Sequence, residues 1–317
     1  MARYLVTGGA GFVGCHLVKA LIGRGNSVRV LDDLSVGRAE NLPRGVELIV
    51  SSVTDPSTVR RAVNDIEGCF HLAAVASVEQ AHREWFESHR VNLSGTIAVF
   101  EEISRLQKDR GCQIPVVYAS SAAVYGAQNA VPISERSETR PINAYGVDKL
   151  GCELQAAIAG RVFNIRNTGL RFFNIYGPGQ DPRSPYSGVI SIFCERSLAN
   201  SPIEINGDGL QVRDFIYVED VVNALMLAMK SANVDSQVFN VCTGIGTTIL
   251  ELAENITQIC GIPFLPQHRS ARAADIRLSI GDPRRGREKL GFTARVSLKE
   301  GLARTIKTSE TTAVRTR

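Results

Sequence analysis

The chain has 317 residues, 44% of them hydrophobic and 21% charged, with a net charge of +4. These values describe an ordinary globular chain able to bury a large core. The lysines and arginines form no long basic run, so nucleic acid is not implied, and no stretch approaches the ~20 apolar residues that cross a bilayer.

Met1 runs straight into the strand-like Arg3-Tyr4-Leu5-Val6, and a cytoplasmic location is expected. The first half then alternates short apolar runs with amphipathic segments, the pattern of βαβ units on a parallel sheet. Strands are predicted at 4–7, 27–31, 46–50, 68–72, 116–119 and 169–173, and helices at 12–24, 57–65, 83–108 and 144–159. The expected fold is α/β, a Rossmann-like doubly wound parallel sheet. After Phe173 the texture turns to Gly/Pro-rich loops such as Gly177-Pro178-Gly179, which predicts a smaller, interleaved C-terminal lobe. A helix within 215–230 and a strand at 237–241 are expected to return to the large sheet. The first domain is thus placed at 1–173 plus 214–242, the second lobe at 174–213 and 243–307, and a disordered tail at 308–317. The seven cysteines include no CxxC pair and have no histidine at ligand spacing, so they read as buried, reduced thiols with no metal.

Thr7-Gly8-Gly9-Ala10-Gly11-Phe12-Val13-Gly14 joins the first strand to the first helix. Glycines 8, 11 and 14 allow a tight turn, close approach of a pyrophosphate and close helix packing, while the helix start offers N–H donors. Asp32 ends the second strand and can accept hydrogen bonds from both hydroxyls of an adenosine ribose, whereas it would repel a 2′-phosphate. NAD is therefore favoured over NADP.

Tyr145-Gly-Val-Asp-Lys149 sets a phenol and an ammonium four residues apart, on one face of a helix. A free phenol is a poor base near neutral pH, and a neighbouring cation favours its ionised form. The strand Val116-Val117-Tyr118-Ala119 ends in the pair Ser120-Ser121, at the carboxyl edge where a doubly wound sheet binds its ligand. Glycine loop, strand-end serine and YxxxK follow one another at spacings compatible with a single site, and together they are specific.

With these motifs the chain resembles the extended short-chain dehydrogenase/reductases, and within them the NAD-dependent nucleotide-sugar epimerase/dehydratase family, from residue 1 to about 305. Further matching segments are His71-Leu72-Ala73-Ala74, Asn92-Leu-Ser-Gly95-Thr96, Leu170-Arg171-Phe172-Phe173-Asn174, Gly207-Asp-Gly209 with Arg213-Asp214, and Arg272-x-x-Asp275. The resemblance implies that Ser121, Tyr145 and Lys149 are catalytic. It extends the cofactor contacts from the glycine loop (Gly8, Gly11, Phe12, Val13, Gly14) to Asp32, Asp33, Ser35 and Gly37, then to Ser52, Val53, Leu72, Ala73, Ala74, Asn92, Ala119 and Phe172. For the substrate it implies Ala76, Ala122, Asn174, Gly188, Val189, Ile190, Glu204, Asn206, Arg213, Arg272, Asp275 and Ser279, with Asn174, Arg213 and Arg272 on the diphosphate. The first domain is then the NAD-binding one and the second lobe holds a nucleotide sugar.

The activity implied is a UDP-hexose 4-epimerase working through a transient 4-keto sugar. Family members that eliminate or decarboxylate carry an acid where this chain has Ala122-Ala123, and alanine moves no proton. Ser279 stands where epimerases restricted to glucose and galactose often carry a tyrosine, so UDP-GlcNAc and UDP-GalNAc are expected to fit alongside UDP-glucose and UDP-galactose. Ser52 replaces a usual aspartate and Ala274 a usual glycine. Relatives often pair as homodimers through two helices, here those at 83–108 and 144–159. The core motifs leave open a UDP-uronic acid epimerase or another nucleotide-sugar oxidoreductase, and, outside enzymes, an NAD-binding sensor or scaffold.

Overall fold

The computed structural model describes residues 2–182, 184, 187–271 and 276–315, with side chains to 310. Arg272 and Asp275 lie outside the described residues. The first half builds β1 (Arg3–Thr7), α1 (Phe12–Ile22), β2 (Ser27–Asp32), β3 (Glu47–Val50), α2 (Pro56–Ala62), β4 (Gly68–His71), α3 (Val78–Arg83), α4 (Trp85–His89), α5 (Gly95–Arg110), β5 (Val116–Ser121), α6 (Ala144–Phe163) and β6 (Asn167–Phe172). The second half adds β7 (Asn174–Tyr176), α7 (Val189–Leu198), β8 (Glu204–Asn206), β9 (Val212–Tyr217), α8 (Val218–Ser231), β10 (Gln237–Val241), β11 (Gly246–Thr248), α9 (Ile249–Cys260), β12 (Gln267–Arg269), β13 (Leu278–Ser279), α10 (Arg284–Leu290) and α11 (Leu298–Arg315).

A seven-stranded sheet in the order β10-β6-β5-β4-β1-β2-β3 is parallel throughout. Its strands are near-continuous apolar runs because helices cover both faces. Val6, Val30, Val117 and Leu170 pack with α1 and α8 on one face, and Leu5, Leu31, Val116 and Tyr118 pack with α2, α5 and α6 on the other. The second lobe has its own core of Phe193, Ile205, Leu252 and Leu302 around a small sheet in which β9 carries β7, β11 and β13.

Local chemistry sets the ends. Asp55 caps α2 by accepting from Ser57 N, with Pro56 at the first helical position, and Asn143 caps α6 by accepting from Gly146 N at 2.8 Å. Thr248 and Glu251 cap α9 reciprocally.

The structure departs from the sequence reading in several places. The helix expected at 83–108 is three pieces: Glu84 breaks α3 from α4 at φ −120°, ψ 53°, and a wider π turn over Arg90–Ser94 leads into α5. In that turn Asn92 turns inward to bond both the N–H and the C=O of Val75, a tertiary demand that outweighs regular helix spacing. Residues 214–217, placed with the first domain, instead end β9 in the small sheet, while α8 and β10 lie with the large one. Helix α10, expected in the second lobe, places Leu290 in the core of the large sheet. Helix α11 continues past Thr308, where a disordered tail was expected. Thr308 and Ser309 bond back to the carbonyls of Arg304 and Thr305, so their hydroxyls follow the helix instead of ending it. Of the cysteines, Cys112 is exposed and Cys260 half-buried, while the other five are buried, and none is in a disulfide.

Candidate active site

A cleft of about 1360 Å³ runs along the carboxyl edge of the large sheet between the two lobes. At its floor Gly8 sits at φ +68° with its N–H on Leu31 O at 2.8 Å. A Cβ there would lie 2.7 Å from Ala73 N, and one on Gly14 would lie 2.1 Å from Gly8 O. No side chain fits either place, so α1 starts hard against the turn. Phe12 and Val13 of its first turn line the cleft, and the N–H groups of that turn have no carbonyl one turn back to serve.

Asp32 stands beside them, nearly buried, accepting from Ala10 N and Leu34 N, each at 2.9 Å. Burial pushes its carboxyl up, and those N–H bonds pull it back. Each oxygen keeps lone pairs for a hydroxyl donor. Asp33 is occupied by the N–H and hydroxyl of Ser35, at 3.0 and 2.6 Å, and shapes the turn, though both residues line the cleft with Gly37. Free N–H donors next to a hydroxyl-accepting carboxylate are the donor set that a dinucleotide needs, so the residues present fit NAD.

The cleft wall continues through Val53, Leu72, Ala73, Ala74, Ala76, Ala119, Ser121, Ala122 and Phe172. Ser52 is not part of it: its hydroxyl closes a local turn with Thr54, and Ser51 takes the wall position. Asn92 is also set back, spent on Val75.

Beneath this wall lies a buried chain of hydroxyls around His71. Thr96 Oγ1 donates to Asn92 O at 2.6 Å, so it accepts from His71 Nε2 at 2.9 Å. His71 Nδ1 is then left to accept from Thr7 Oγ1 at 2.7 Å, while Thr7 Oγ1 accepts from Ala73 N. The network assigns a neutral imidazole with its proton on Nε2. Burial, helped by the Lys149 ammonium, holds His71 far down, at about 3.

Tyr145 lies in the first turn of α6 and Lys149 one turn on, and both face the cleft opposite Ser121 at the end of β5. Lys149 is 3% exposed; its Nζ donates to Ala119 O at 2.9 Å and sits 5.9 Å from the Tyr145 ring centre. Ser121 Oγ accepts from Ala123 N at 3.1 Å, which leaves its proton free.

From the second lobe come Asn174, Gly188, Arg213 and Ser279. Arg213 and Ser279 are register partners on β9 and β13, and Arg213 Nη1 is anchored on the carbonyls of Val212 and Ile276, at 2.9 and 2.6 Å. Four expected substrate residues are not on the cleft wall. Ile190 is buried in the second-lobe core and Val189 packs against that core. Glu204 pairs with Arg269 and Arg196, whose hydrogen bonds hold its carboxyl down, and Asn206 offers its carbonyl to Gln211. What was missed is the cleft face of α7, Ser191, Cys194, Glu195 and Leu198, which the i, i+3, i+4 spacing from Gly188 could have revealed. Among the described residues no group of three His, Cys, Asp or Glu side chains is arranged to hold a metal.

Comparison with known proteins agrees with this geometry. The pattern of the NAD dependent epimerase/dehydratase family matches residues 4–242. The chain is 37% identical over 310 residues to the UDP-glucose 4-epimerase of Mycolicibacterium smegmatis, covering 96% of this chain and 97% of that one. The UDP-glucose 4-epimerase of Thermotoga maritima, solved with UDP-glucose, superposes with a TM-score of 0.93 at 37% identity, over 98% of this chain and 99% of that one. A UDP-N-acetylglucosamine 4-epimerase from Methanobrevibacter ruminantium, solved with UDP-N-acetylmuramic acid, gives a TM-score of 0.91 at 32% identity over 98% and 99%. With its dinucleotide loop, its Ser-Tyr-Lys set and this match over most of its length, the chain belongs to the NAD-dependent epimerase/dehydratase family.

Proposed function

We propose that the chain is an isomerase, an NAD-dependent 4-epimerase of UDP-hexoses. The observation that carries this reading is the meeting of Ser121, Tyr145 and Lys149 on one cleft with the glycine loop and Asp32 on one side and Arg213 on the other. When bound, NAD supplies the hydride acceptor for C4 and the source of the same hydride for the opposite face of the sugar. Phe12, Val13 and Asp32 hold it.

The chain's own residues do the rest. Tyr145 Oη takes the proton of the sugar 4-hydroxyl and later returns one, while Ser121 Oγ holds that oxygen in line. Lys149, fixed on Ala119 O, keeps a positive charge beside the phenol. Arg213 and Asn174 hold the diphosphate, a task suited to guanidinium geometry, so that the 4-keto sugar can turn about its linkage without leaving. Ala122 and Ala123 offer no acid or base for elimination, so epimerisation is the chemistry left.

Ser279, on the cleft wall beside Arg213, leaves space for an N-acetyl group, and both acetylated and plain UDP-hexoses are the substrates. Two copies pair through α4, α5 and α6, a reading supported by an exposed apolar stripe of Val147, Leu154, Ile158 and Val162 on α6 next to Trp85, Phe86 and Ile97. No helix among the described residues is long and apolar enough to cross a membrane. The unpaired thiols support a reducing compartment, the cytoplasm.

The test is chromatography of UDP-glucose, UDP-galactose, UDP-GlcNAc and UDP-GalNAc after incubation with the protein and no added redox partner. Interconversion within both pairs is expected. Absence of any C4 inversion would sink the reading, and accumulating NADH would make the chain an oxidoreductase instead. Ser279→Tyr should suppress the acetylated pair selectively, because the ring fills the space; equal loss on both pairs would remove Ser279 from the pocket.

A further inference from the structure

Helix α6 carries Tyr145, Lys149 and Glu153 at successive four-residue steps, so the three share one face. Down that face they meet the last residues of β5. Lys149 Nζ reaches Ala119 O, and one turn further Glu153 Oε1 accepts from Ser120 Oγ at 2.5 Å. Ser120 is the immediate neighbour of Ser121, whose hydroxyl serves the reaction.

Glu153 is also tied to the next strand. Arg171 on β6 grips it with both prongs, Nε to Oε1 at 2.8 Å and Nη2 to Oε2 at 2.6 Å. Ser120 and Arg171 are register partners in the sheet, so one buried carboxylate pins two strand ends to the helix that carries the phenol. The clamp continues beyond Ser121. The Arg171 guanidinium lies 4.7 Å from the ring centre of Tyr125, in the short turn that follows Ser121, and Tyr125 Oη donates to Asn240 on β10 at 2.6 Å.

A buried ion pair is a weak source of net stability, since an apolar set of the same shape does as well or better. What this one supplies is direction. Its bonds are short, charge-assisted and aimed from three elements, and a displacement of ~1 Å in a reacting group can cost on the order of 10²-fold in rate.

We propose that Glu153 is a positioning residue for the reaction, fixing the end of β5 through Ser120 and Arg171 so that Ser121 Oγ is held against the Tyr145 phenol. This rests on the epimerase reading above. The experiment compares wild type, Ser120→Ala, Ser120→Thr and Glu153→Gln for kcat and KM on UDP-hexoses, bound NAD content and melting temperature. Ser120→Ala removes one arm and leaves the Glu153–Arg171 pair intact, so the fold is expected to survive. Its kcat should fall about 10-fold or more, with KM, NAD content and melting temperature unchanged. Glu153→Gln should lower kcat further, and Ser120→Thr, which keeps the hydroxyl, should restore it. Wild-type kcat in Ser120→Ala, or a loss that only tracks falling NAD content or melting temperature, overturns the proposal while leaving the epimerase reading intact. A wild type that inverts no UDP-hexose overturns both.

Discussion

Tyr145 brings to the cleft one oxygen whose loss can be isolated, because the ring and its packing survive in Tyr145→Phe. General acid–base groups contribute ~10²- to 10⁴-fold, so this variant should lose that much of kcat while keeping NAD, as read by steady-state assay and cofactor absorbance; a wild-type rate would move proton transfer elsewhere. His71 makes a second residue-scale prediction. Its folded value is held at about 3, below the ~6.5 of an unfolded histidine. Its contribution to stability is therefore complete above about pH 6.5 and is lost as pH falls toward 3, as the unfolded chain takes up a proton that the folded one refuses. Between those limits the slope reaches at most ~1.4 kcal/mol per pH unit. Urea unfolding from pH 7 to 4 should show a steeper decline for wild type than for His71→Asn; parallel curves would show that His71 titrates freely. The meeting of Asp32, Tyr145 and Lys149 on one cleft was legible in the sequence because each belongs to a short local pattern tied to one turn or one helix face. Ser52 and Glu204 were placed by resemblance alone, and the hydrogen bonds of their side chains to Thr54 and Arg269 show what local partners can claim.

Elements are fixed by what crosses between them, and Glu153, with Arg171 and Ser120, ties three together. Replacing Arg171 with methionine keeps the bulk but strands a buried carboxylate, which typically costs ~3–5 kcal/mol. Chemical unfolding of Arg171→Met should show a loss of that order, and a change under ~1 kcal/mol would mean that Glu153 had found another donor or become neutral. The stripe that ends in Glu153 could have been read from the spacing of Tyr145 and Lys149, yet nothing local says which acid on a helix finds a buried arginine 18 residues on. The helix expected at 83–108 failed for the same reason. Its apolar spacing is continuous, and the inward turn of Asn92 onto Val75 is a contact that no window of sequence contains.

At the scale of the molecule, the exposed stripe on α6 tests the pairing of copies. Leu154 is 63% exposed in a single chain, and Leu154→Arg should shift the protein toward monomer in analytical ultracentrifugation while leaving its secondary structure intact. An unchanged sedimentation coefficient would place the interface elsewhere. The large sheet was legible because each strand is flanked by its own turn signals, whereas the home of β9 and α10 depends on which sheet edge each can reach after long connections. Those connections carry a consequence of their own. The chain enters the second lobe with β7, comes back with α8 and β10, leaves with β11 and α9, comes back with α10 and ends outside again with α11. Halves stitched together in this way are not two beads on a string. A single melting transition is expected in calorimetry, and two resolved transitions would show that the halves unfold separately. The two walls of the cleft are therefore expected to unfold together, and the turning that inverts a sugar falls to the small molecule held between them.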